Sequence, residues 1–116
     1  MARRLHFHTD ALADLARQTA WLERNAELSW VDRFEYDLAR VRELLRAYPS
    51  AGKVIARSDQ VVLRRVPLPT TPYLVWYAYE GSRPQSDIWI VRLFHSSQRR
   101  PAPDLSRWVP TVSSEP

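Results

Sequence analysis

A chain of 116 residues has the length of one domain and can bury a core without metal or disulfide staples. It contains no cysteine, which excludes a disulfide framework, a thiol nucleophile and any cysteine-based zinc site. The net charge of +4 sits almost entirely in one stretch: residues 1–52 hold eight arginines and eight carboxylates, whereas residues 53–100 hold eight cations against Asp59, Glu80 and Asp87.

The start of the chain, Met1 to His8, is basic and then mixed, without the apolar run of a signal peptide or a membrane span. A soluble, cytoplasmic protein is the expectation. Arg4 to His8 alternates like a short strand, and Thr9 or Asp10 can cap the helix that follows. From Ala11 to Asn25, Leu12, Leu15, Thr19 and Leu22 recur at helical spacing. A second helix is predicted from Ser29 to Tyr48. Its apolar stripe is Trp30, Phe34, Leu38, Val41, Leu45 and Tyr48, with Asp32, Arg33, Asp37, Arg40 and Arg46 mostly turned away. Ser29 with Asp32 resembles a capping box. Neither helix contains Gly or Pro and few residues separate them, so they form an antiparallel hairpin that Pro49 ends.

A polar loop follows, and then three strands. Val61 to Val66 is β-branched and carries Arg64 and Arg65. Pro67, Pro69 and Pro72 impose a turn or an edge. Tyr73 to Glu80 has no breaker, Gly81 to Ser86 is a hairpin connection, and Asp87 to Phe94 is the most strand-like run. The predicted fold class is α+β: an N-terminal strand and a two-helix hairpin packed on one face of a small, mainly antiparallel sheet, in the order β-α-α-β-β-β, with the other face open. Residues 1–100 form the domain. Residues 101–116, with four prolines, form a tail in which Leu105, Trp108 and Val109 are a candidate docking patch.

The cationic stretch (Lys53, Arg57, Arg64, Arg65, Arg83, Arg92, Arg99 and Arg100) points to an anionic partner, nucleic acid or an acidic protein segment, or to a solvated basic surface. Sixteen of the seventeen basic residues are arginine, which favours planar, forked contacts to phosphate or carboxylate. His6 and His8 share a strand face but have no third ligand nearby in sequence, so no metal site is expected.

Several short features occur together in order: Ala11, Asp14 and Leu15 early in the first helix, Leu45 and Tyr48-Pro49 before Gly52, and Leu63-Arg64-Arg65 leading the sheet. Tyr73 and Tyr77 lie in the next strand, and Ile90-Val91-Arg92-Leu93 runs into His95, with Arg99-Arg100-Pro101 after it. This arrangement, over Leu5 to Pro101, resembles the RelE/ParE superfamily of bacterial type II toxin–antitoxin toxins, and the wording around Arg64-Arg65 and His95 is closer to the ParE branch. The resemblance implies a growth-inhibiting toxin neutralised by a cognate antitoxin, a role in plasmid stabilisation, and no cofactor. ParE-like members inhibit DNA gyrase without catalysis. RelE-like members cut mRNA in the ribosome, which needs an acid, a base and positive charge on the phosphate. In that case His95 would be the acid or base, with Arg92 and Arg65 beside it. As target-binding residues the resemblance implies Arg64, Arg65, Tyr77, Arg92, Arg99 and Arg100. Each has a plainer role available: packing for Tyr77, a bonded head for Arg92, a structural hydrogen bond for His95. A family member that has lost its toxicity would carry the same features.

Overall fold

The structure, a computed structural model, describes residues 3–83 and 85–108. Strand β1 (Leu5–Phe7) leads into helix α1 (Thr9–Asn25), which turns back through helix α2 (Leu28–Ala47). A 3-10 turn, Pro49–Ala51, then opens a run of four strands: β2 (Lys53–Arg57), β3 (Val61–Pro67), β4 (Tyr73–Glu80) and β5 (Ile88–His95). The order across the sheet is β1-β5-β4-β3-β2, antiparallel except for β1, which lies parallel to β5. This is the α+β architecture expected from the sequence. The one addition is β2, whose short, cation-bounded run Lys-Val-Ile-Ala-Arg reads as loop until β3 supplies a partner for it.

The helices differ in detail from expectation. His8, not Thr9 or Asp10, caps α1, its Nδ1 accepting from the Asp10 backbone N–H at 3.0 Å. Glu27 is the N-cap of α2 and makes no side-chain cap bond, so Ser29 and Asp32 form no capping box. The buried line on α1 is Ala11, Asp14 and Leu22, while Leu12 is 50% exposed. On α2, Phe34, Leu38, Val41 and Leu45 are buried, but Tyr48 points to solvent and Asp37, placed on the outer side by the sequence pattern, is fully buried.

Asp37 is buried because it organises the β3–β4 connection. It accepts from the Thr70 backbone N–H (3.0 Å), the Thr70 hydroxyl (2.9 Å) and the Thr71 hydroxyl (2.6 Å). Burial pushes its carboxyl up, but these hydrogen bonds outweigh it and hold the group below its ordinary value.

Each sheet face has its own core. On the helix side, Phe34, Leu45, Val75, Tyr77, Ile88 and Ile90 pack together, each fully buried aliphatic or aromatic side chain contributing about 1.5–3 kcal/mol before entropy is counted. The opposite face is not open. Val61, Leu63, Trp76, Ala78, Val91, Phe94 and Trp108 form a second buried cluster, with the Trp108 ring edge-on to Trp76 at 5.8 Å. Trp108 and Leu105 of the expected docking patch both pack here, and Val109 lies outside the described residues. A bulge in β5 places Arg92 opposite Trp76 and Ile90 opposite Tyr77, leaving Val91 as the extra residue. Ile88 and Ile90 therefore face the helices while Arg92 and Phe94 belong to the other side.

Candidate target-binding surface

The register places four residues in one row on the face away from the helices: Lys53 opposite Arg65, Arg65 opposite Trp76, and Trp76 opposite Arg92. The two ends of that row are built differently.

At the β5 end, α1 supplies a carboxylate. Asp14 is 1% exposed, and its two oxygens accept Arg92 Nε at 2.6 Å and an Arg92 Nη at 3.1 Å. Arg17 pairs with the same carboxylate from the solvent side. β1 is too short to cover this part of the β5 edge, and Asp14 also accepts the Leu93 backbone N–H at 2.9 Å. One buried carboxylate thus closes a sheet edge and neutralises an arginine, whose guanidinium lies 4.6 Å from the Phe94 ring centre. Beside it the segment after Pro101 folds back. Arg107 forks onto Asp10, with one bond at 2.6 Å, and the Trp108 indole N–H donates to Asp10 at 3.0 Å. The Arg107 hydrogen bond holds the Asp10 carboxyl well below the usual range against the opposing effect of burial. A cleft of about 390 Å³ remains, lined among others by Asp10, Asp14, Arg17, Arg92 and Arg107.

At the β2 end, Arg65 and Lys53 line a second cleft of about 440 Å³ with Ala51, Gly52, Val66, Pro67 and Leu74. Among the described residues, no carboxylate lines it. Neighbouring Arg64 faces the other way and is held by protein acceptors: it donates to Gly52 O at 2.6 Å, to Ser50 O at 3.3 Å and to the Tyr79 hydroxyl at 2.9 Å.

The residues expected at the site do not converge. Tyr77 is fully buried, its hydroxyl donating to Pro49 O at 2.6 Å and accepting from the Gly52 N–H at 2.8 Å. Burial pushes that hydroxyl up to about 12. Tyr77 therefore anchors the 3-10 turn, the packing role that its central place in β4 explains. A Cβ at position 52 would lie 2.4 Å from Arg65 O and 2.8 Å from the Tyr77 hydroxyl, so this close approach requires glycine. Arg64 is likewise a brace for the 49–52 segment, bonded to the Ser50 and Gly52 carbonyls.

His95 ends β5 opposite Tyr73, on the helix side. Its Nδ1 bonds the Ser97 hydroxyl at 2.8 Å, and its ring meets Tyr73 edge-on at 5.3 Å. It is thus on the face opposite Arg92 and Arg65. Arg99 is exposed, and Arg100 donates to Ser96 O and Gln98 O. His6 bonds Asp87 at 2.8 Å and stacks on Trp89, while His8 caps α1. Among the described residues no group of three histidine, aspartate or glutamate side chains could hold a metal, and no helix is long and apolar enough to cross a membrane.

The residues of this row and its edges that periodicity missed are Asp14 and Lys53. Asp14 lies three residues from Ala11 and eight from Leu22, on the buried line itself, and a charge there signals a partner. Lys53 becomes notable only through its register with Arg65.

No curated protein sequence matches the chain. Among solved structures, the chain is similar to the archaeal RelE–RelB complex from Pyrococcus horikoshii OT3, with a TM-score of 0.56 and 17% identity over 85% of this chain and 100% of that one. At that identity the likeness concerns the fold. The family model described as ParE toxin of type II toxin–antitoxin system, parDE, matches residues 5–100, which takes in both helices and all five strands. The chain therefore belongs to the ParE toxin family of type II toxin–antitoxin systems.

Proposed function

We propose that this toxin-family chain inhibits bacterial growth by binding DNA gyrase without catalysing a reaction, and that a cognate antitoxin holds it inactive. The observation that carries the reading is the distribution of the residues an RNA-cleaving site would need. His95 sits on the helix side of the sheet while Arg92 and Arg65 belong to the other, Arg92 is neutralised by Asp14, and Tyr77 is buried. General acid–base cleavage requires acid, base and phosphate-binding cations around one reacting atom. Recognition by surface shape and arginine contacts requires no such convergence. The similarity to a RelE–RelB complex supports an antitoxin as partner.

The test is inducible expression in a bacterial host, with translation and DNA-damage reporters followed in parallel. The expected outcome is a DNA-damage response while translation continues, with toxicity retained in a folded His95→Ala variant. Early translational arrest with cleaved mRNA, abolished by His95→Ala, would replace this reading with a ribosome-dependent endoribonuclease.

A further inference from the structure

Residues 101–108 lie beyond the stretch that the family model matches, residues 5–100, yet they cover the centre of the candidate surface. Trp108 is 3% exposed and sits edge-on to Trp76, the member of the row between Arg65 and Arg92. The cover is attached at one polar point. Among the described residues, no backbone bond ties the segment to the sheet. Every hydrogen bond from it to the rest of the chain ends on Asp10, onto which Arg107 forks and the Trp108 indole donates. The segment holds its own shape, since the Asp104 carbonyl accepts the Arg107 and Trp108 N–H groups and the Asp104 carboxylate accepts the Ser106 hydroxyl. Beneath it Trp76 is 4% exposed, and its indole N–H has no acceptor among the described residues. Closure thus leaves a buried donor unsatisfied, which opposes it.

We propose that residues 101–108 form an autoinhibitory strap, latched by Asp10, which closes over Trp76 and lifts as one unit to make the surface around it available. Trp108 and Leu105 supply the apolar seal, and the Asp10 fork supplies the polar half of the closure. That fork opens to solvent, with the Arg107 side chain 58% exposed, so salt weakens it while leaving the seal in place. The fixed side ends at Arg100, which is bonded to Ser96 O and Gln98 O. The moving side begins at Pro101, and neither Pro101 nor Pro103 has an N–H with which to be tied down. The lifting of the strap follows from its own contacts. Only its inhibitory role rests on the reading of this chain as a toxin that meets its target through the row.

The test is hydrogen exchange of the tryptophan indole N–H groups in the folded, isotope-labelled full chain, compared with the variants Asp10→Asn, Arg107→Gln and both together. In the parent, the Trp76 and Trp108 indoles are expected to open together, at least tenfold more often than the Tyr77 backbone amide in the middle of the sheet. Each single variant is expected to speed both indoles at least tenfold and to leave Tyr77 unchanged. The double variant should add less than threefold to that, because both changes break the same latch. Growth inhibition at matched expression is expected to rise at least threefold in each variant. Indoles that exchange only together with Tyr77 would make the segment a fixed part of the core and overturn the proposal, as would variants that speed all three sites alike. Faster indole exchange with unchanged or weaker inhibition, by a chain that does inhibit growth, would overturn the inhibitory role. Growth left unaffected by parent and variants alike would refute the toxin reading and that role with it, while the exchange rates still decide whether the strap opens.

Discussion

The two edges of the sheet treat positive charge in opposite ways. At the β5 edge, Arg92 meets the buried carboxylate of Asp14, and Arg107 meets Asp10. At the β2 edge, Lys53 and Arg65 face each other, and among the described residues no acidic one lines their cleft. The excess charge of residues 53–100 is therefore not a uniform basic coat. Within it, Arg92 holds α1 to the sheet, while Lys53 and Arg65 are left to act outward. Removing a charge should accordingly cost stability at the first edge and relieve it at the second.

The largest expected effect follows from making the compensated edge resemble the other one. Asp14→Ala strands Arg92 and leaves the Leu93 N–H without a partner. We expect a loss of roughly 3–5 kcal/mol, read as a lower denaturant midpoint. An unchanged midpoint would remove the distinction between the edges. Next comes Tyr77→Phe, which deletes the hydroxyl that joins Pro49 O and Gly52 N without a large change of volume. Leaving those buried groups unsatisfied should cost about 1–3 kcal/mol, with faster hydrogen exchange at Gly52 reporting a loosened wall of the β2 cleft.

Acid should act on the carboxylate-held parts of the molecule and spare the β2 pair. Asp10 and Asp37 are both held below the ordinary value of 3.8, so the folded state favours their ionised forms more than the unfolded chain does. Their contribution is complete above about pH 4 and is lost as pH falls through the folded-state values. Thermal unfolding between pH 7 and pH 2 should show this decline at the acidic end, and Asp37→Asn should flatten part of it. A decline centred near neutrality would point to other groups. The smallest effect is a gain: Lys53→Glu places opposite charges across β2 and β3 and should stabilise the protein by about 0.2–1 kcal/mol. A loss instead would show that the repulsion is already relieved in solution.

The sequence carried the architecture because both periodicities were strong. The Phe34–Leu38–Val41–Leu45 stripe defines α2 without help from its neighbours, and β4 and β5 are apolar runs bounded by turn residues. What it did not display depends on contacts distant in the chain. Asp37 looks like an outward charge until Thr70 and Thr71 come to meet it, 33 and 34 positions away. Arg92 shares alternation with Ile88 and Ile90 until a bulge inserts Val91. β2 is too short and too polar at its ends to stand out, yet without it the pairing of Lys53 and Arg65 does not exist. The candidate site was legible as a charge excess and not as a place, since register decides which cations are neighbours.

The parallel pairing of β1 with β5 also sets a timetable. The first strand made by the ribosome finds its partner only in the last, with His6 and Asp87 joined across 81 positions. At roughly 5–20 residues per second, that partner is synthesised about 4–16 s after β1. Until then the N-terminal segment has no ladder to join. Long-range pairing of this kind slows folding, so the sheet is completed only once β5 has been made, and a nascent chain interrupted before β5 leaves its first strand without a ladder and the Asp14 carboxylate without Arg92.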